Sequence, residues 1–141
     1  MVHSVLELVP TDTEDVWILD TEASLEHLAR GTARHVDSML VVVEPYFKSL
    51  ETGRRTAVLA RDLGVDRVAL VANKVRDPGD LAAVRALAGS DQLEVAGVVP
   101  FDPQLPAADR ALTAPLDLAP EGVGVAAIGD IARRFAGTAA R

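Results

Sequence analysis

Four short aliphatic runs, at residues 16–19, 39–43, 68–72 and 95–99, punctuate this chain, and each ends in a polar or turn residue. Runs without polar alternation mark strands buried on both faces, as in a parallel sheet covered by helices. Segments of helical period separate them. In the first, Leu25, Leu28, Thr32 and Val36 share a face behind Ser24, a residue suited to N-capping. In the second, Leu50, Val58, Leu59 and Leu63 face inward and Gly64 offers the stop. In the third, Asp77 caps, Pro78 occupies the first turn and Asp80 sits at the positive end of the helix dipole. Its inward stripe is Leu81, Val84, Leu87 and Ala88. A last helix over 124–136 presents Val125, Ile128, Ala132 and Phe135 on one side. Residues 2–9 read as a short feeder helix, with Val2, Val5, Leu6 and Val9 at helical spacing. The proline-containing stretch 102–124 reads as loop with a short turn near 107–112. The order β-α-β-α-β-α-β, then loop and helix, predicts a single α/β domain over 1–141. Its three layers hold a mostly parallel sheet with flanking helices and right-handed crossovers.

The 141 residues fit one domain, and 49% hydrophobic content with a mean hydropathy of +0.20 supplies its core. With 4% aromatic residues, that core must be mostly Val, Leu, Ala and Ile. A formal charge of −7 opposes a nucleic-acid-tracking surface, so Arg54-Arg55 and Arg133-Arg134 read as solvated helix faces. With no cysteine, a disulfide framework and a thiolate metal site are both excluded. There is no basic-then-apolar leader, and no run approaches the ~20 apolar residues that span a bilayer. The expectation is a soluble cytoplasmic protein without a transmembrane segment or nucleic-acid partner.

Ligands of open parallel sheets gather at the carboxyl ends of the strands. Those ends carry Asp20, Glu44-Pro45-Tyr46, Asn73-Lys74-Val75 and Pro100-Phe101-Asp102. An aliphatic strand ending in Asp20 is the arrangement in which a carboxylate supports magnesium beside nucleotide phosphates; capping or turn formation explains such an Asp equally well. The Asn73 amide offers a donor and an acceptor to a base edge, or simply closes a turn. A guanine reader would place Asp where this chain has Arg76, so adenine fits better than guanine.

The segments 16–32, 39–45, 49–55, 59–64, 71–75 and 97–102, in order and across nearly the whole chain, resemble the MinD/ParA-type P-loop ATPases. Within that family they look most like the branch of the carbon monoxide dehydrogenase maturation factors, the CooC-like proteins. The resemblance implies a P-loop NTPase-like fold, present in part. It implies Asp20 as the Walker B carboxylate for magnesium held through the nucleotide, and residues 22–32 as the switch II region. It also implies Asn73 with Lys74 on the adenine side, and Pro100, Phe101 and Asp102 as the loop over the base. In the family such ATPases dimerise across the nucleotide face, and the CooC-like branch serves a client metalloenzyme.

Two departures shape the expected function. No G-x-x-x-x-G-K-[ST] occurs here, and in the family that loop precedes Walker B. Its amides, lysine and hydroxyl supply most of the phosphate and magnesium grip. ATP or ADP with magnesium is therefore expected only with a phosphate loop supplied elsewhere, and unaided hydrolysis is not expected; no catalytic residue is assigned. Ser24 also stands where the family has a switch glycine. The P-loop strand lies in the family between the Walker B strand and the next. The chain then needs a complementing N-terminal half, re-pairs 16–19 with 39–43, or is a shortened product. The reading is a truncated or degenerate MinD/CooC-like ATP-binding protein, working with a partner or as a homodimer; a non-enzymatic interaction module is the alternative. His27 and His35 are too far apart on one helix to share a metal, and Glu22 with Glu26 suit a helix start. A receiver-like phosphoacceptor would need an acidic pair that Asp12 and Asp15 fill poorly. Trp17 is expected to fill core or cover the sheet.

Overall fold

The computed structural model describes residues 16–21 and 36–136. The expectations for residues 2–9, for the helix behind Ser24, and for Asp12, Asp15, Glu22, Glu26, His27 and His35 lie outside the described residues. Three parallel strands, β1 (Ser38–Val43), β2 (Arg67–Val75) and β3 (Glu94–Pro100), form one sheet in the order β1-β2-β3. Helix α1 (Phe47–Asp62) connects β1 to β2, and α2 (Pro78–Ser90) connects β2 to β3. After β3 come α3 (Gln104–Arg110), α4 (Pro115–Leu118) and α5 (Val123–Ala136). The expected α/β class with flanking helices is the observed one.

Side-chain alternation along the strands divides the core in two. On one face, Val41, Val43, Val68, Leu70 and Ala72 meet Ala57 and Ala60 of α1 and Val84 and Ala88 of α2. On the other, Ala69, Val71, Ala96 and Val99 meet Ile131, with Ala127 and Phe135 packed alongside. Small residues set both distances. A Cβ on Gly53 of α1 would lie 2.2 Å from Val43 Cγ1, and one on Gly97 of β3 would lie 2.3 Å from Ile131 Cγ1.

The helix ends follow their capping chemistry. Asp77 Oδ1 accepts from the Asp80 amide at 2.9 Å at the start of α2. Gly64 takes φ +88 after α1, where its amide donates to Arg61 O and that of Val65 donates to Ala60 O. Those two bonds are a Schellman stop, and they need the left-handed residue that glycine provides.

Several expectations are corrected. Residues 16–19 form no strand: the stretch is unpaired and exposed, with Ile18 at 90% and Trp17, expected inside, at 63%. An aliphatic run becomes a strand only beside another, and no ladder reaches this one among the described residues. Direct re-pairing of 16–19 with β1 is thereby absent. The stretch after Asp102 is helical at α3 and α4 rather than mostly loop. Pro106 lies in the first turn of α3 and Pro115 begins α4, where a missing N–H is no loss to the helix. Finally, α5 buries Ile131 with Ala127 and Phe135, whereas Ile128 is 49% exposed and Ala132 is exposed. Val58 of α1 is half-buried outside the core cluster.

Candidate functional site at the carboxyl ends of the strands

The strand ends converge through a bulge in β2. Ala72 pairs with Val98 but Val75 pairs with Pro100, so three steps on β2 face two on β3. Lys74 takes φ 56 within the interruption. Bulges re-aim side chains beside sites. Lys74 Nζ lies 2.7 Å from Glu44 Oε1, joining the ends of β1 and β2. Asn73, half-buried, accepts the Lys74 amide on Oδ1 at 3.0 Å. Its amide nitrogen has no protein partner among the described residues.

Beyond the bulge, the Phe101 amide donates to Val75 O at 2.9 Å and the Arg76 amide to Asp80 Oδ2 at 2.9 Å. Those anchors set the Arg76 guanidinium 4.5 Å over the centroid of the Phe101 ring. The ring is 41% exposed. Asp102 is buried, and both its oxygens serve the backbone. Oδ1 accepts from Gln104 N at 2.9 Å and Oδ2 from Gly124 N at 3.0 Å, fastening α3 and α5 to the end of β3. Its neighbours leave little room, since a Cβ on Gly122 would come within 2.9 Å of Oδ2. A hollow of about 260 Å³ opens next to it, lined by Gln104, Ala119, Pro120, Glu121 and Gly122.

The residues expected from sequence fall into three groups. Asn73, Lys74, Pro100, Phe101 and Asp102 sit together at the ends of β2 and β3. Glu44 joins them through Lys74. Asp20 lies in the exposed stretch outside the sheet, and no hydrogen bond or ion pair joins it to the others among the described residues. Arg76, noted in the sequence only for what it is not, is the residue that sequence reasoning undervalued; its signal was its place next to the bulge, facing an aromatic strand end.

Tested against a nucleotide, this surface divides. An open amide, a flat exposed ring and a stacked guanidinium fit a purine base. The phosphates and magnesium do not fit: the chain lacks the glycine-lysine loop. Among the described residues no group of three His, Cys, Asp or Glu side chains is placed to hold a metal.

No family model matches the sequence. The carbon monoxide dehydrogenase accessory protein CooC of Rhodospirillum rubrum is 37% identical over 120 residues, covering 85% of this chain and 45% of its own length. An ATP-binding protein of Methanocaldococcus jannaschii is 41% identical over 92 residues, 65% of this chain and 36% of its own. The chain belongs to the CooC-like, MinD/ParA-type P-loop ATPases. It spans less than half the length of these relatives. The MinD cell division protein of Aquifex aeolicus superposes with a TM-score of 0.62 over 73% of this chain and 45% of that one, at 21% identity. MinD of Pyrococcus furiosus gives 0.58 over 72% and 43%, at 17% identity. Both likenesses establish the fold, in part, of a P-loop NTPase. Among the described residues of this CooC-like chain no helix is long and apolar enough to cross a membrane.

Proposed function

We propose that this chain is the base-side portion of a CooC-like ATP-binding protein, which takes ATP and magnesium only with a phosphate loop from outside its 141 residues. Asn73, Lys74, Pro100, Phe101 and Asp102 form its nucleotide side, and Asp20 joins the magnesium site on assembly. Its role is nucleotide-dependent association, with itself or with a complementing half, in the cytoplasmic maturation of a client metalloenzyme. The likeness to a carbon monoxide dehydrogenase accessory protein supports the last element. The observation that carries the reading is the bulged end of β2, which brings Asn73 and the Arg76–Phe101 pair, its ring 41% exposed, to one end of the sheet.

The open side of the sheet supports the need for a second segment. β1 carries no charge and no proline, and nothing among the described residues pairs its outer edge. Leu40 and Val42 stand 38% and 59% exposed on the face where α5 covers β2 and β3. Sheet edges left to solvent are usually guarded by charge, proline or a bulge. Here a strand carrying the phosphate loop would cover both the edge and the two side chains.

Calorimetry tests the reading. ATP with magnesium is titrated into the chain alone, then into the chain mixed with the part of the Rhodospirillum rubrum relative that it does not match. Heat only in the mixture is expected. Silence in both favours the other reading, an interaction module that has lost nucleotide binding, for which the bare β1 edge would be the contact surface.

A further inference from the structure

We infer that the outer edge of β1 pairs with β1 of a second copy of this chain, antiparallel and about a two-fold axis at Val41. The inference goes beyond the nucleotide reading and does not rest on it, and its surface is the edge of the sheet rather than the nucleotide face. Ser38–Val43 carries no charge and no proline, and among the described residues nothing pairs its outer edge. An edge strand of this kind is a template for another strand. Val41 and Val43 are buried under α1, whereas Leu40 and Val42 stand exposed on the opposite face. A second copy and the strand proposed above for the same edge exclude each other.

Symmetry and side-chain alternation leave few registers. In a closed two-fold pair residue i meets j and j meets i. Opposed residues of antiparallel strands point to one face, so i and j must lie an even number of positions apart. An axis at Val41 sets Leu40 opposite Val42 of the second copy, twice, and Met39 opposite Val43. Ser38 then meets Glu44, whose Oε1 Lys74 already neutralises at 2.7 Å. An axis at Leu40 would instead set Asp37 against Val43 and Ser38 against Val42, covering polar groups with valine. An axis at Val42 would set Leu40 against Glu44 and Met39 against Pro45, which cannot donate to a ladder. The helices leave room for the favoured register. α1 packs on β1 and β2 together, so across the axis the two copies of α1 stand about two strand spacings, ~10 Å, apart. Arg54 and Arg61 of α1 reach Asp91 on the side of α2. Thr52 and Leu59, each two positions earlier and so ~200° round the helix, lie on the flank that faces the second copy, and neither is charged.

The chain has no cysteine, so introduced ones report only on themselves. Leu40→Cys and Val42→Cys chains, each alone and in equal mixture, are oxidised with glutathione disulfide in the absence of nucleotide. High salt screens the −7 charge that each copy carries. In the register above, positions 40 and 42 of the two copies have Cβ atoms about 4.5–5.5 Å apart, near enough to bridge with little movement. Position 42 and its own symmetry mate are only diagonal neighbours, as are the two copies of position 40. The mixture is expected to crosslink at several times the yield of either chain alone. In sedimentation equilibrium under the same conditions the wild type is expected to dimerise as concentration rises. Val42→Lys should weaken that dimer at least about tenfold, because pairing covers its ammonium. Should Val42→Lys lose its circular dichroism signal, the crosslinking yields decide alone. A wild type that stays monomeric, a dimer that Val42→Lys leaves intact, or crosslinking as strong in a single chain as in the mixture overturns the inference. None of these outcomes touches the nucleotide reading, which the ATP titration tests separately.

Discussion

Asp102 shows how one carboxylate can decide the shape of a strand end through the backbone amides it holds. It is buried to 4% exposure, and its two oxygens accept from Gln104 N and Gly124 N. Charge-assisted bonds to backbone amides are among the stronger ones, and removing the acceptor leaves two donors beside apolar neighbours. Asp102→Ala is therefore expected to cost about 2–4 kcal/mol of stability, read by urea denaturation. The same residue was legible in the sequence as a strand-end acid, but the amides it holds lie beyond it in the chain and only packing reveals them. Glu51 of α1 is the opposite case, a half-buried acid with two arginine partners. Hydrogen bonds from Arg54 first, and then Arg55, hold its carboxyl down at about 2 from a usual 4.5. A folded-state pKa lowered in this way contributes stability above the unfolded value, and the contribution disappears as pH falls through the folded one. A carboxyl-detected NMR titration should therefore place the Glu51 midpoint near 2, and Glu51→Gln should flatten the acid limb of the stability profile. A midpoint at the usual value would remove the Arg54 bond from the account.

Elements were legible where local chemistry decides them and illegible where a distant partner does. α2 announces itself through Asp77, Pro78 and Asp80, and α1 ends at Gly64 as its sequence suggests. Asp77→Ala should cost roughly 1 kcal/mol for the lost cap. Gly64→Ala should cost about as much, because φ +88 is strained for any residue with a Cβ. Both are read as shifts of the urea midpoint at constant slope. By contrast, the apolar face of α5 was misplaced at Ile128 and Ala132, although Phe135 packs inward as expected. In a helix rich in Ala, Val and Gly, several stripes are apolar enough to be buried. The one chosen depends on Gly97, whose missing side chain admits Ile131. Residues 16–19 failed for a related reason. Their run has the propensity of a strand, but propensity cannot create the neighbour that a ladder requires.

At the scale of the molecule, the two edges of the sheet are unequal, and the inequality has a consequence for assembly. β3 begins with Glu94, ends at Pro100 and bulges at Ala96, whose carbonyl accepts from Arg134. β1 has no such guard, and its outward Leu40 and Val42 lie opposite Ala69 and Val71 on the face that α5 covers only further along. Substituting a charge there separates folding from assembly. Val42 is already 59% exposed, so Val42→Lys should leave the stability of the isolated chain within about 0.5 kcal/mol. A strand laid against β1 would bury the same position, and an unpaired ammonium there costs several kcal/mol. Sedimentation of the chain mixed with the unmatched part of the CooC relative, in ATP and magnesium, should show a complex for the wild type and none for Val42→Lys. Arg110→Lys, a change on the exposed side of α3, should behave as the wild type. A Val42→Lys complex of wild-type strength would mean that the second segment docks elsewhere, and the bare edge of β1 would then need another explanation.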